Sequence, residues 1–381
     1  MMARAQTSLT GVVFVDANGN GVRDASERGL GGVAVSNQLD VVVTDSLGRF
    51  ALPPTATGIV FVSVPSGFRS SGAYWRASAN RSSVDFGLIR ESQPRTFSFV
   101  HASDSHIEPA NVNRFRRFRQ MADSLKPAFA LMGGDLVRDA MSQTESSARA
   151  YFDLFVAESK AFHTPMWTVP GNHDHYGIIP SRSHADPKNP LYNRGMYRSY
   201  FGPDYYSFTY AGIHFIGLNT ISPDDSAYYG DVDSVQMAWL KNDLARVPAT
   251  TPVVTFNHIP MITSWQTLIG YDEDPLVATL ARVNGKRQYR HLVGNVLDVL
   301  QALRGHKFVL ALGSHNHAPE RLSYMTDEGV MLRSDISAAI VGGNDLGSVK
   351  VPSGFTLYTV RNGEIDAGQF FRIDPPAKRP K

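Results

Sequence analysis

The chain has 381 residues, 43% of them hydrophobic, with 37 Lys and Arg against 35 Asp and Glu for a formal charge of +2. That length exceeds a typical domain of roughly 100–200 residues and predicts two domains, each able to bury a core, while the near-neutral balance gives no reason to expect nucleic acid as the default partner. The absence of cysteine excludes disulfides, thiol nucleophiles and Cys-ligated zinc, and no apolar run approaches the ~20 residues of a membrane span.

Residues 1–7 lack the apolar stretch of a signal peptide, yet Ala3, Arg4 and Ala5 before Gln6 have the look of a cleavage site. They are expected to be disordered or the remnant of an export signal, which would make the protein secreted or periplasmic; a chance match is the alternative. Residues 8–90 then read as short strands at 11–15, 33–36, 41–44, 49–52 and 59–64, separated by Gly, Asn, Asp and Pro. Such spacing predicts a small all-β sandwich.

Between the first two strands lies the sequence DANGNGVRDASE. Counted from Asp16, its donors Asp16, Asn18, Asn20, Asp24 and Glu27 occupy the liganding positions of a calcium loop, with Gly21 at the sharp turn and the Val22 carbonyl available at the seventh position. Hard oxygen donors suit Ca²⁺; the alternative is an unliganded turn rich in Asn and Asp. The segments GLGGVAVS, VVVTDSLGRFALP and FVSVPSGF resemble the β-sandwich modules of bacterial surface proteins and of some secreted phosphoesterases. The resemblance implies structural calcium and allows a cell-surface contact through this domain.

Residues 91–95 are polar and form the expected linker. From 96 to 373 strands alternate with helical patterns, as in an α/β layer architecture. Arg114, Arg116, Arg117 and Arg119 are interleaved with Phe115, Phe118, Ala122 and Leu125 at helical spacing, which predicts an amphipathic helix with a solvated basic face. Residues 374–381, with Pro375, Pro376 and Pro380, read as a disordered tail.

Five hydrophobic runs in this second part each stop at candidate metal ligands. These are Asp104 with His106, then Asp135, Asn172, His258, and His315 with His317. Donors at the ends of separate strands can converge on one sheet edge and hold two metal ions. The order D-x-H, GGD, GNHD, H, H-x-H resembles the calcineurin-like metallophosphoesterases over roughly residues 96–370. The expected fold is therefore a β-sandwich flanked by helices (αββα) behind the small all-β domain.

The resemblance implies one metal on Asp104, His106 and His317, another on Asn172, His258 and His315, and Asp135 bridging them. Such a pair, ~3.5–4 Å apart, activates a shared water near neutral pH and clamps phosphoryl oxygens for in-line displacement, inverting phosphorus. His173 would donate a proton to the leaving group or stabilise the phosphoryl oxygens, and Asp174 would orient His173 or a ligand. Manganese, iron and zinc suit this donor set alike.

Some positions depart from related patterns. Asp135 is followed by Leu136, Val137, Arg138, Asp139 and Ala140, unlike the GDxVDRG of protein Ser/Thr phosphatases. Arg138 stands where purple acid phosphatases carry a metal-bound tyrosine, and Ser314 stands before His315 where the family usually has glycine. Substrate choice is expected in the stretches 176–204 and 261–289, with Arg194, Arg198, Trp265 and Tyr271 as candidate contacts to a small phosphate ester. The reading is a metal-dependent mono- or diesterase; alternatives are a surface binding module with a silent phosphoesterase domain, or an intracellular phosphatase.

Overall fold

The computed structural model describes residues 8–53, 57–79, 81–224, 227–270, 279–329, 331–342 and 350–374. The expected N-terminal remnant, Tyr271 and all but the first residue of the expected tail lie outside these.

The N-terminal part is a sandwich of two four-stranded sheets. One orders Arg49–Leu52, Leu9–Val15, Phe86–Arg90 and Phe68–Ser70; the other orders Val41–Val43, Ala34–Ser36, Ile59–Val62 and Trp75–Ala77. Alternation explains the packing: in Arg49–Leu52 the side chains of Phe50 and Leu52 are buried while Arg49 and Ala51 are exposed. Three of these strands, Phe68–Ser70, Trp75–Ala77 and Phe86–Arg90, give little signal in the sequence because they are short and two of them are only half buried.

Two six-stranded sheets follow. The first orders Met166–Thr168, Phe129–Met132, Thr96–Ala102, Gly354–Arg361 and Glu364–Ile365, with Gln369–Arg372 also on Gly354–Arg361; the second orders Tyr206–Tyr210, Ile213–Leu218, Pro252–Asn257, Lys307–Gly313, Met331–Ile336 and Glu320–Met325. They face each other through aromatic rings: Phe129 meets Phe208 and Phe215 edge-on at 5.5 and 5.2 Å, and Trp167 stacks on Phe208 at 4.0 Å. Within Thr96–Ala102, Phe97 and Phe99 point into this core, whereas Val100 and Ala102 face helices Val112–Ser124 and Glu145–Ser159 through Phe115, Phe118, Phe152 and Phe155. The basic face of the first helix is solvated, with Arg116 and Arg119 on Glu158. This is the expected αββα arrangement behind an all-β region.

Direction matters most for function. Thr96–Ala102, Phe129–Met132 and Met166–Thr168 run parallel, as do Ile213–Leu218, Pro252–Asn257, Lys307–Gly313 and Met331–Ile336. The carboxyl ends of each group therefore open at one edge, where ligands bind in open α/β sheets.

The sequence does not show how closely the two parts are joined. One core runs through both, with Trp239 of helix Ser234–Leu244 lying 6.3 Å from Phe61 and 5.0 Å from Tyr205. Thr209 donates its amide to the Val64 carbonyl at 2.8 Å, and Gln93 in the linker accepts from both Gly67 and Ala211. Among the described residues no helix is long and apolar enough to cross a membrane.

Candidate metal centre

Each predicted ligand sits in the turn just after a parallel strand. The backbone there is unusual. Among the described residues twelve non-glycine positions have positive φ, and five of them are Asp104 (52°), His106 (39°), Asp135 (50°), His315 (74°) and His317 (57°). Side chains resist this left-handed region, so it persists only where the surroundings enforce it, and such strain gathers at functional sites. Here cross-links between turns enforce it: Asp104 and His106 donate their amides to the Gly134 and Asp135 carbonyls at 3.0 Å each, and Ser314 donates to the His258 carbonyl at 2.9 Å.

The turns bring together three groups whose donor atoms lie within 4.8 Å of one another: Asp104, His106 and His317; His106, Asp135 and His173; and Asp135, His258 and His315. Asp135 is common to the second and third. Its Oδ2 lies 3.4 Å from His106 Nε2 and 3.3 Å from His258 Nε2. Asn172 joins the third group, its Oδ1 being 3.1 Å from His258 Nε2.

The donor chemistry fits cations. His258 Nδ1 donates to the Gly133 carbonyl at 2.8 Å, which leaves Nε2 as the lone-pair atom of the neutral ring, facing Asn172, Asp135 and, at 3.1 Å, His315 Nδ1. His106 and His317 likewise bring their Nε2 atoms within 3.2 Å. Two imidazole nitrogens at such a distance share one proton at most. Asp104 Oδ1 is buried and makes no hydrogen bond of good geometry, although His317 Nε2 is 3.2 Å away. Nitrogens converging on carboxylates with too few protons between them form a donor set for metal ions.

The electrostatics agree. Burial works to raise the Asp135 carboxyl, but the imidazoles of His258, His173 and His106 outweigh it and hold the group well below the usual carboxylate range. Burial opposes charge on His258 too, yet Asp135 and Asp104 raise it to about 9. The two carboxylates thus make the space beside His258 Nε2 favourable to positive charge.

His173 lies at the rim. Its Nδ1 donates to the Arg138 carbonyl at 2.8 Å, leaving Nε2 toward the centre, 4.0 Å from Asp135 Oδ2. Asp174 does not orient it. The buried Asp174 carboxylate instead accepts the amides of Leu136, Val137 and Gly171 at 2.8–3.2 Å, tying the turn after Asp135 to the turn around Asn172. Burial and the nearby Asp135 raise its carboxyl to about 7. His175 is also fully buried, its Nδ1 on the Gly171 carbonyl.

A cavity of about 500 Å³ opens over the centre. Its walls correct the expectation for substrate contacts. Arg194 and Arg198 are not among the lining residues, because they are committed to the buried Asp204, with Arg194 also on Asp233. Trp265 is buried and does not line the cavity either. The walls carry Glu108, Asn111, Arg138, Tyr228, His291 and Val341. Arg138 is half exposed and pairs with Glu108 at 3.4 Å, while His291 Nδ1 is 2.9 Å from His315 Nε2. Glu108 and Arg138 each follow a ligand turn by a few residues, a signal that was available; His291 and Tyr228 reach the centre only through tertiary packing.

Comparisons with known proteins follow this geometry. Residues 97–319 match the family described as calcineurin-like phosphoesterase, and residues 17–88 match the N terminal of calcineurin-like phosphoesterase. No curated protein matches significantly. Similar solved structures include GAP50, the anchor in the inner membrane complex of Plasmodium, at 13% identity over 73% of this chain and 85% of that one with a TM-score of 0.42. Another is TT1561 of Thermus thermophilus, at 12% identity over 73% and 100% with a TM-score of 0.40. Neither likeness is close enough to bear on function. The family match covers more than half of the sequence and includes every turn that forms the centre: this chain belongs to the calcineurin-like phosphoesterases.

Proposed function

We propose that the protein hydrolyses a phosphate mono- or diester with two divalent transition metal ions, Mn, Fe or Zn. Asp104, His106 and His317 would hold one, Asn172, His258 and His315 the other, and Asp135 would face both. The observation that carries this is the single oxygen Oδ2 of Asp135, placed 3.4 Å from one histidine of the first set and 3.3 Å from one of the second. When bound, such ions lower the pKa of a shared water and neutralise phosphoryl oxygens.

The chain's own groups do the rest. His173, with Nδ1 fixed on the Arg138 carbonyl, presents Nε2 at the cavity rim, where it can give a proton to the leaving oxygen. The Arg138 side chain and Asn111 supply donors on the wall, and Tyr228 supplies an aromatic surface against which a leaving group can rest. Asp174 holds the two central turns in register.

The test is hydrolysis of p-nitrophenyl phosphate and bis-p-nitrophenyl phosphate by wild type, Asp135→Asn and His173→Ala. Loss of turnover in Asp135→Asn is expected, and in His173→Ala a fall of about 10²–10³-fold in kcat with bound metal unchanged. Equal turnover in all three would sink the proposal, and the ratio of the two substrates separates mono- from diesterase.

The N-terminal loop enters as a proposed calcium site. Asp16, Asp24 and Glu27 bring three carboxylates into one twelve-residue turn, and Asp16 already gathers the amides of Gly19, Asn20 and Gly21 at 2.7–3.2 Å. A cation must still displace the Asn18 and Asn20 amide hydrogens, which donate to Asp24. Sites of this kind can require millimolar Ca²⁺, which suits an exported protein. Calcium at a hundredfold excess over Kd should stabilise wild type by about 2.7 kcal/mol and leave Asp16→Asn unmoved. A melting temperature indifferent to Ca²⁺ in both would leave only a hydrogen-bonded turn.

A further inference from the structure

A chain of buried polar groups runs from the N-terminal domain to the turn that carries Asn172 and His173. It begins at Gln38, fully buried and in the left-handed region at φ 69°. The Gln38 amide donates to Asp204 Oδ1 at 3.1 Å and to the Tyr205 carbonyl at 3.2 Å, while the Tyr205 hydroxyl donates to the Gln38 carbonyl at 2.6 Å. Asp204 Oδ2 accepts from Asn219 Nδ2 at 2.9 Å, and that amide lies 3.2 Å from His175 Nε2. His175 Nδ1 in turn is 2.8 Å from the Gly171 carbonyl. A carbonyl only accepts, so Nδ1 carries the proton and Nε2 takes the hydrogen from Asn219. Every link has a fixed direction.

The far end presses on the metal centre. A Cβ built on Gly171 would lie 2.2 Å from Asp135 Oδ1 and 2.3 Å from the Asp135 amide nitrogen, so the Gly171 backbone packs directly against the carboxylate common to two of the donor groups, with no room for a side chain between them. At the near end Gln38 keeps a strained backbone, and its Oε1 is buried without a partner. Packing alone would be served as well by an apolar side chain.

We propose that Gln38 is a positioning residue for the metal turn, so that the N-terminal domain sets how tightly the centre holds its ions. The proposal rests on the reading of the centre as a metal site. Groups that orient metal ligands from outside change metal affinity by about 10–100-fold when removed, and Gln38 acts from further out, so an effect of about 5-fold is expected.

The experiment is calorimetric titration of metal-stripped, full-length protein with Mn²⁺. Gln38→Met keeps the volume and removes the amide; Asn219→Ser breaks the chain at a second point; Ser63→Ala alters the same interface away from the chain, at its contact with Ser207. The Kd for Mn²⁺ should rise about 5-fold in the first two. The Mn²⁺ needed for half-maximal turnover should rise with it, while KM for the ester stays put. Ser63→Ala should lower Tm without changing the Kd. Should Gln38→Met fail to fold, Asn219→Ser against Ser63→Ala decides alone. Equal Mn²⁺ affinity in wild type and the chain variants overturns this proposal only, whereas wild type that binds no Mn²⁺ overturns the metal reading and this proposal with it.

Discussion

Gly133 and Ser314 are a matched pair. A Cβ on Gly133 would lie 2.1 Å from Ser314 Oγ, so the serine that stands before His315 fits only because residue 133 has no side chain. Gly133→Ala should cost about 1–3 kcal/mol by overpacking, and Ser314→Gly added to it should recover much of that loss. Chemical denaturation of the two single variants and the double variant reads this directly. Simple additivity would contradict it, since residues in contact are expected to couple. At this scale the sequence is informative about donors, because each one terminates a hydrophobic run. It marks Asp174 but not the task of that carboxylate, because Leu136 and Val137, whose amides it holds, lie in another turn; no local pattern marks His291.

Helix Arg194–Phe201 shows why the expected substrate contacts went elsewhere. A run rich in Arg and Tyr after a ligand turn resembles a phosphate-binding rim, but the carboxylates that claim the arginines, Asp204 and Asp233, are brought to them only by folding. Burial works to raise the Asp204 carboxyl, and Arg198 and Arg194 outweigh it, holding the group well below its ordinary range. A carboxyl lowered on folding contributes stability above its unfolded value of about 3.9, and that contribution is lost as pH falls. Urea unfolding followed from pH 7 to pH 2 should show Asp204→Asn destabilised by a constant amount down to about pH 4, with the gap to wild type narrowing only below that. Parallel curves for the two proteins would show that Asp204 carries no such linkage. The alternation of strands with helices after residue 96 and the helix on Phe115 and Phe118 were legible from periodicity; the strand directions and the half-buried strands Phe68–Ser70 and Trp75–Ala77 were not.

Over the whole molecule, the sequence offers a change of composition near residue 91, but nothing in it shows the packing of residues on one side of that point against residues on the other. Trp239, Tyr205 and Phe61 belong to one core, and burial of an aromatic pair leaves no periodic trace of which domain supplies its partner. Residues 91–381 expressed alone should therefore expose that apolar face and aggregate or melt well below the full chain. A soluble fragment with an unchanged Tm would show the two parts to be independent. The same packing gives the N-terminal domain a route to the centre through Gln38. The account turns on that centre, and the most direct measurement is turnover of bis-p-nitrophenyl phosphate by metal-stripped protein against added equivalents of Mn²⁺. Activity absent without metal and rising to a plateau at two equivalents per chain is the predicted result. Turnover that persists in stripped protein, or a plateau at one equivalent, would contradict a centre built from two metal ions around Asp135.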